Sequence, residues 1–297
     1  MTVLSSVRTW GEMIKFSHSI FALPFALMAV FLAGRSLDGG LPTWTHLGLI
    51  AICMVSARSF AMTFNRIADA RIDARNPRTA QRPIQAGKIT SRQAACFLVA
   101  GGLVFVAACG AFQLLCGNPW PITLALPVLI VLSLYSYAKR VTSLAHFILG
   151  LAIALAPSAA WIAIHPASMG LQAVLLTGVV LFWIAGFDII YACQDMEVDR
   201  REGLFSIPAR FGVARSLVIS RTCHLLAMIL LVWVGLEAGL GWLFWPAVAA
   251  TAVLLAVEQS MVRADDLSKV NVAFFTMNGC ISLLLGAGTI CDVLFAR

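Results

Sequence analysis

An all-α, polytopic membrane fold is predicted by three observations. Of the 297 residues 60% are hydrophobic and only 12% charged, where a soluble domain carries about a quarter charged residues. Mean hydropathy is +0.90. The apolar residues fall in runs of roughly twenty, the length a helix needs to cross a bilayer. A backbone in lipid must satisfy its own hydrogen bonds, so each run is helical. Nine runs are predicted, at about 16–35, 44–64, 93–115, 120–138, 142–164, 170–192, 213–236, 240–260 and 271–294. One integral-membrane domain over residues 1–297 holds them all.

The chain before the first run reads as an amphipathic lead-in. The run itself, about Ile20 to Ala33, has no A-x-A cleavage site, which makes it a retained membrane segment and not a signal peptide. The breaks between runs carry turn chemistry: Asp38-Gly39-Gly40, Gly117-Asn118-Pro119, His165-Pro166, Gly239-Leu240-Gly241 and Ala264-Asp265-Asp266. Cysteines stand at 53, 96, 109, 116, 193, 223, 280 and 291, without CxxC or His/Cys metal spacing. They read as small apolar packing residues.

The basic residues set the topology. Arg8 and Lys15 precede the first run. The second connection carries Arg58, Arg66, Arg71, Arg75, Arg78, Arg82, Lys88 and Arg92, and Lys139 and Arg140 follow the fourth run. Arg200, Arg201, Arg210, Arg215 and Arg221 come after the sixth, then Arg263 and Lys269. This puts nineteen of the 21 Lys and Arg on one side and leaves only Arg35 and Arg297 on the other. The positive-inside rule then places the N-terminus and the polar connections in the cytoplasm, as expected of a bacterial inner-membrane protein, and the C-terminus outside. The same bias accounts for the net charge of +7 without a nucleic-acid partner.

One polar island stands out, Asn65-Arg-Ile-Ala-Asp69-Ala-Arg-Ile-Asp73-Ala-Arg-Asn-Pro-Arg78. If the preceding helix continues through it, Asn65, Asp69 and Asp73 stack on one face, one turn apart. An amide and two carboxylates in a row suit a hard divalent cation such as Mg²⁺, which prefers oxygen ligands and the company of phosphates. Arginines at 66, 71, 75 and 78 point to recognition of an oxyanion.

A weak internal repeat supplies a second island. Asp195-Met-Glu-Val-Asp199-Arg-Arg201 aligns with Asp69-Ala-Arg-Ile-Asp73-Ala-Arg75. Four spans separate the copies, so both face one compartment, and the architecture reads as two four-helix pseudo-repeats plus one helix. On a continuous helix Asp188 lies seven residues before Asp195 and shares its face with Asp195 and Asp199. A carboxylate so close to the end of a hydrophobic span is a functional candidate. The bland reading of any single Asp is a solvated helix end, and of any single Arg positive-inside topology.

The pattern Asn65-x3-Asp69-x3-Asp73 with Asp188-x2-Tyr191-Ala-x2-Asp195-x3-Asp199 resembles the UbiA-type intramembrane aromatic prenyltransferases. The resemblance continues through Arg78-Thr79-x2-Arg82-Pro83-Ile84-x2-Gly87 and Tyr135-Ser-Tyr137-x-Lys139-Arg140 and covers nearly the whole chain. It implies nine helices around a central cavity that opens to lipid, with two Mg²⁺ held between the motifs on the diphosphate of a polyprenyl donor. Asn65, Asp69, Asp73, Asp195 and Asp199 would bind metal and diphosphate. Arg78, Arg82 and Lys139 would contact phosphate, and Asp188 and Tyr191 would orient the acceptor or stabilise a cation. The implied reaction is Mg-dependent polyprenyl transfer to the ring of a small hydroxylated aromatic acid, in ubiquinone or menaquinone formation.

Two stretches depart from the form of the family that acts on 4-hydroxybenzoate. In place of Arg–Asp–Lys/Arg–Pro the chain has Lys15-Phe-Ser-His18-Ser-Ile-Phe-Ala-Leu-Pro24, and a Ser follows Phe at Phe205-Ser206 where Lys often precedes it. Both look like the menaquinone branch, which acts on a dihydroxynaphthoate, so the acceptor is one of these two acids. Lys15 or His18 would meet its carboxylate; the alternatives are a snorkelling interfacial lysine and a structural histidine. The rival class is a membrane transporter with an acidic cation site at its cytoplasmic face. Clustered arginines beside the acids favour phosphate chemistry over a transport pathway.

Overall fold

The computed structural model describes residues 3–15 and 19–295. His18, one of the acceptor candidates, and Arg297 lie outside the described residues. In chain order the α-helices are α1 (Val3–Met13), α2 (Ser19–Gly34), α3 (Trp44–Ala68), α4 (Ala70–Arg75), α5 (Ser91–Cys116), α6 (Trp120–Leu134) and α7 (Ala145–Ile164). Then follow α8 (Leu171–Ala192), α9 (Met196–Arg201), α10 (Ile207–Glu237), α11 (Phe244–Met261), α12 (Val270–Val272) and α13 (Asn278–Phe295). No strand occurs among the described residues.

Eight of the predicted runs are helices long and apolar enough to cross a membrane, counting short 3-10 or π continuations. The ninth, α2, has 16 residues and is shorter, about 24 Å at 1.5 Å per residue. Boundaries move by a few residues for local reasons. The seventh run enters helix at Ile207, because Ser206 caps α10 by accepting from the Ala209 N–H at 3.2 Å. Gly212 then breaks that helix at φ 77°, so the long apolar part starts just after it.

The chain forms two compact units. The first takes residues 1–19 and 44–137. In it α3 packs along α5 and α6. A capping box of Thr90 and Gln93 starts α5, and Gly117, at φ 68°, ends it. Met13 and Ile14 of the N-terminal segment pack with Ile89 and Ala94. This seats the lead-in beside the long loop after α4.

The second unit takes residues 20–43 and 138–297. Its centre is α8, which lies against α7 and α10, while α11 pairs with α13. Phe21 and Phe25 of α2 pack on Trp183 of α8. Gly150 permits the close approach of α7 to α8, because a Cβ there would stand 2.5 Å from the Leu181 carbonyl oxygen. One end of this unit gathers Lys139, Arg200 and Arg210. At the opposite helix ends Arg35 donates to the Ala238 carbonyl at 2.6 Å, so within this unit the charges segregate as the sequence predicts. A π-helical stretch, Ala273–Met277, leads into α13. There Asn278 donates to the fully buried Glu258 at 2.8 Å.

Replacing Gly150 by Ala is expected to force α7 off α8 and to cost about 1–3 kcal/mol. Gly110→Ala on α5, whose Cβ would meet only Ile122 at 4.0 Å, is expected to be neutral or to gain up to about 1 kcal/mol. Thermal unfolding in detergent separates the two variants.

Candidate functional site

Both acidic islands fold into the same local shape. α3 runs to Ala68, Asp69 bends the chain at φ −93° and ψ 6°, and the six-residue α4 follows. α8 runs to Ala192, a 3-10 turn occupies Cys193–Asp195, Asp195 bends at φ −100° and ψ 3°, and the six-residue α9 follows. Asp73 and Asp199, each the fourth residue of its short helix, are both 5% exposed. The sequence repeat is thus a repeat of backbone conformation.

At the first bend the helical ladder survives. Asp69 N–H donates to the Asn65 carbonyl at 2.9 Å and Asp73 N–H to the Asp69 carbonyl at 2.8 Å. The predicted stacking of Asn65, Asp69 and Asp73 therefore holds, and the Asn65 amide donates to Asp69 Oδ2 at 3.1 Å. Asp73 Oδ2 accepts from Arg82 Nη1 at 2.5 Å and has Arg66 Nη1 at 4.0 Å. Buried carboxylates need such partners.

The loop after α4 is tied down by the same residues. Thr79 Oγ1 donates to the Asp73 carbonyl at 2.9 Å, Asn76 Oδ1 accepts from the Arg78 N–H at 3.0 Å, and Gln85 donates to the Ala70 carbonyl at 3.2 Å. Arg82 is thereby brought to the acids, while Arg78 is exposed beside them. Lys15 joins this group. Its carbonyl accepts from Arg58 Nη2 at 2.9 Å. Burial, reinforced by Arg66, Arg82 and Arg78, pulls the Lys15 ammonium below the usual lysine range. Four cations (Lys15, Arg66, Arg78, Arg82) thus share the neighbourhood of two carboxylates, a surplus suited to an oxyanion. Tyr135 shares the surroundings of Arg66, Arg58 and Asp69.

The second bend departs from the predicted single row. Three residues of 3-10 helix turn the chain by roughly 60° more than α-helix would, so Asp188 is not simply stacked under Asp195 and Asp199. Asp188 instead pairs with His146 of α7, Oδ2 to Nδ1, at 2.7 Å. Asp199 is bonded by the Ser206 side chain and has Lys139, Asp195 and His146 nearby. The Lys139 carbonyl accepts from the Phe205 N–H at 2.6 Å. Tyr191 packs on Phe274 with ring centroids 4.3 Å apart. Among the described residues, neither bend alone brings three Asp, Glu, His or Cys side chains together as a metal cage.

Sequence reasoning gave no role to His146, Ser206, Asn76 or Thr79. A histidine six residues after the Lys139-Arg140 pair, inside an apolar run, is the signal that could have found the first. The others act through capping and turn bonds that no spacing rule isolates.

The model of the UbiA prenyltransferase family matches residues 22–279. A 4-hydroxybenzoate octaprenyltransferase of Vibrio vulnificus is 31% identical over 84% of this chain and 85% of its own. One from Hydrogenovibrio crunogenus is 32% identical over 91% and 90%. The apo structure of a UbiA homologue from Aeropyrum pernix K1 superposes with TM-score 0.81 at 30% identity, over 93% of this chain and 98% of that one. A UbiA homologue from Archaeoglobus fulgidus bound to GPP and Mg²⁺ shares the fold at TM-score 0.73 and 21% identity, over 96% and 99%.

The Lys15 environment gives a pH signature. A lysine depressed in the folded state binds fewer protons folded than unfolded, so stability rises with pH from the depressed value up to the ordinary 10.5. Wild type is expected to gain thermal stability relative to Lys15→Gln as the pH rises towards the ordinary lysine value of 10.5. Parallel pH profiles of the two proteins would contradict the crowding of Lys15 by arginines.

Proposed function

The chain belongs to the UbiA prenyltransferase family, and from that premise we propose that this integral membrane transferase moves a polyprenyl group from its diphosphate to the ring of a hydroxylated aromatic acid, with Mg²⁺. The observation that carries the reading is the pair of matched acidic bends, each with its buried fourth-position carboxylate. The first adds a cationic surplus around Asp69 and Asp73.

The donor atoms fit the metal. Asn65, Asp69 and Asp73 at one bend and Asp195 and Asp199 at the other offer only oxygen, and each bend supplies just two carboxylates. A hard cation held by one or two carboxylates must complete its shell with water and phosphate oxygens, which is how Mg²⁺ meets diphosphates. Bound there, Mg²⁺ would neutralise the charge that develops on the departing diphosphate. Arg66, Arg78 and Arg82 take up the remaining negative charge. The allylic carbon is then attacked by the electron-rich ring ortho to a phenolic oxygen. Asp188 and Tyr191 serve the acceptor, and Lys15 its carboxylate.

The curated relatives favour 4-hydroxybenzoate. The departures at Lys15–Pro24 and Phe205-Ser206 favour a dihydroxynaphthoate, and we keep both acids as acceptors to be compared. The basic residues support a cytoplasmic N-terminus and acidic motifs at the cytoplasmic leaflet of an inner membrane. We treat residues 1–297 as one catalytic domain.

Purified protein incubated with a polyprenyl diphosphate, Mg²⁺ and each acid is expected to yield one prenylated product by mass analysis. A chelator is expected to abolish it. Asp69→Asn and Asp195→Asn are each expected to lower kcat by about 100-fold or more without loss of fold. If neither acid is prenylated, the quinone-pathway assignment is wrong; full transfer by Asp69→Asn would remove the acidic bend from the chemistry.

A further inference from the structure

His146 is 5% exposed, yet both its ring nitrogens are engaged. Nε2 lies 3.3 Å from the backbone nitrogen of Ile207. A peptide N–H can only donate, so Nε2 is the acceptor and the ring proton sits on Nδ1. That proton points at Asp188 Oδ2, 2.7 Å away. The imidazole is thus fixed between the start of α10 and the end of α8, and its tautomer is set by the backbone. Gly150, one turn along the same face of α7, allows the close approach to α8 that this bond requires.

Asp188 has its other oxygen to spare. Its side chain is 22% exposed, and Oδ1 makes no hydrogen bond among the described residues. Tyr191, one turn on, lies on Phe274, behind which Phe187, Phe21 and Trp183 pack as a buried aromatic cluster. A carboxylate with one oxygen pinned and one presented, beside aromatic rings, is shaped for a ligand that is flat, apolar and bears a hydroxyl group.

We propose that His146 is a positioning residue for the aromatic acceptor, holding Asp188 so that Oδ1 accepts the hydrogen bond of the acceptor's ring hydroxyl. This rests on the prenyl-transfer reading above. As the donor C–O bond breaks, its electron pair leaves on the diphosphate. The ring carbon ortho to the hydroxyl forms the new C–C bond, and the hydroxyl proton passes to Asp188. The resulting dienone loses its ring hydrogen to water as a proton while Asp188 returns its own proton to the oxygen. One proton is released for each bond made, and His146 neither gains nor loses one.

The test uses full-length purified protein and steady-state transfer to the aromatic acid that wild type prenylates. His146→Leu removes both hydrogen bonds. His146→Gln retains an amide that donates to Asp188 and a carbonyl that accepts from Ile207. The leucine variant is expected to lose roughly 10–100-fold in kcat/KM for the acid, with an unchanged KM for the diphosphate donor, and the glutamine variant to recover most of that loss. On an Asp188→Asn background, either His146 change is expected to add little. Equal impairment of Leu and Gln variants, a shift confined to the donor KM, or losses that add to those of Asp188→Asn would each overturn the proposal. Should the leucine variant fail to fold, the Gln and Asn variants complete the cycle alone. Absence of transfer by wild type to any acid would overturn the underlying reading itself, a separate result from active wild type with an indifferent residue 146.

Discussion

Everything at the first acidic bend depends on keeping a carboxylate buried next to hydrocarbon. Asp73 is taken out of water where an uncompensated charge is very costly. Two guanidiniums, from Arg66 and Arg82, converge on one of its oxygens. That requirement orders the loop after α4, since Arg82 reaches Asp73 only if residues 76–85 fold back. It also draws Lys15 and Arg78 into the same neighbourhood. The local excess of positive charge is therefore a by-product of solving a burial problem, and it is the property a polyanionic substrate can use.

The second bend solves the same problem with neutral partners. Asp199 is bonded by the Ser206 hydroxyl, with Lys139 near it, and Asp188 is bonded by an imidazole. One backbone shape thus carries two electrostatic characters, one strongly basic and one mild. Family membership establishes a prenyltransferase.

Much of this was legible in the sequence, for identifiable reasons. Lipid demands a long uninterrupted apolar run for each helix, so hydropathy alone located nine helices to within a few residues. The Asp69 and Asp195 motifs stood out because polar residues are rare in this chain. What did not show was anything set by short-range backbone detail. The 3-10 turn at Cys193–Asp195 has no periodic signature, so Asp188 was aligned with Asp195 and Asp199 when it in fact faces α7. The role of His146 did not show for a related reason, since its partners lie 42 and 61 residues away in the chain. The start of α10 was set by one hydroxyl cap and one glycine, not by hydrophobicity.

Asp73 illustrates how closely architecture and chemistry are joined in this protein. Its side chain engages Arg82, and its backbone carbonyl accepts from the Thr79 hydroxyl. A change of this one residue therefore reshapes the adjoining loop at the same moment that it removes a negative charge. A library of variants scored by survival alone would record a scaffolding defect and a lost ligand as a single phenotype.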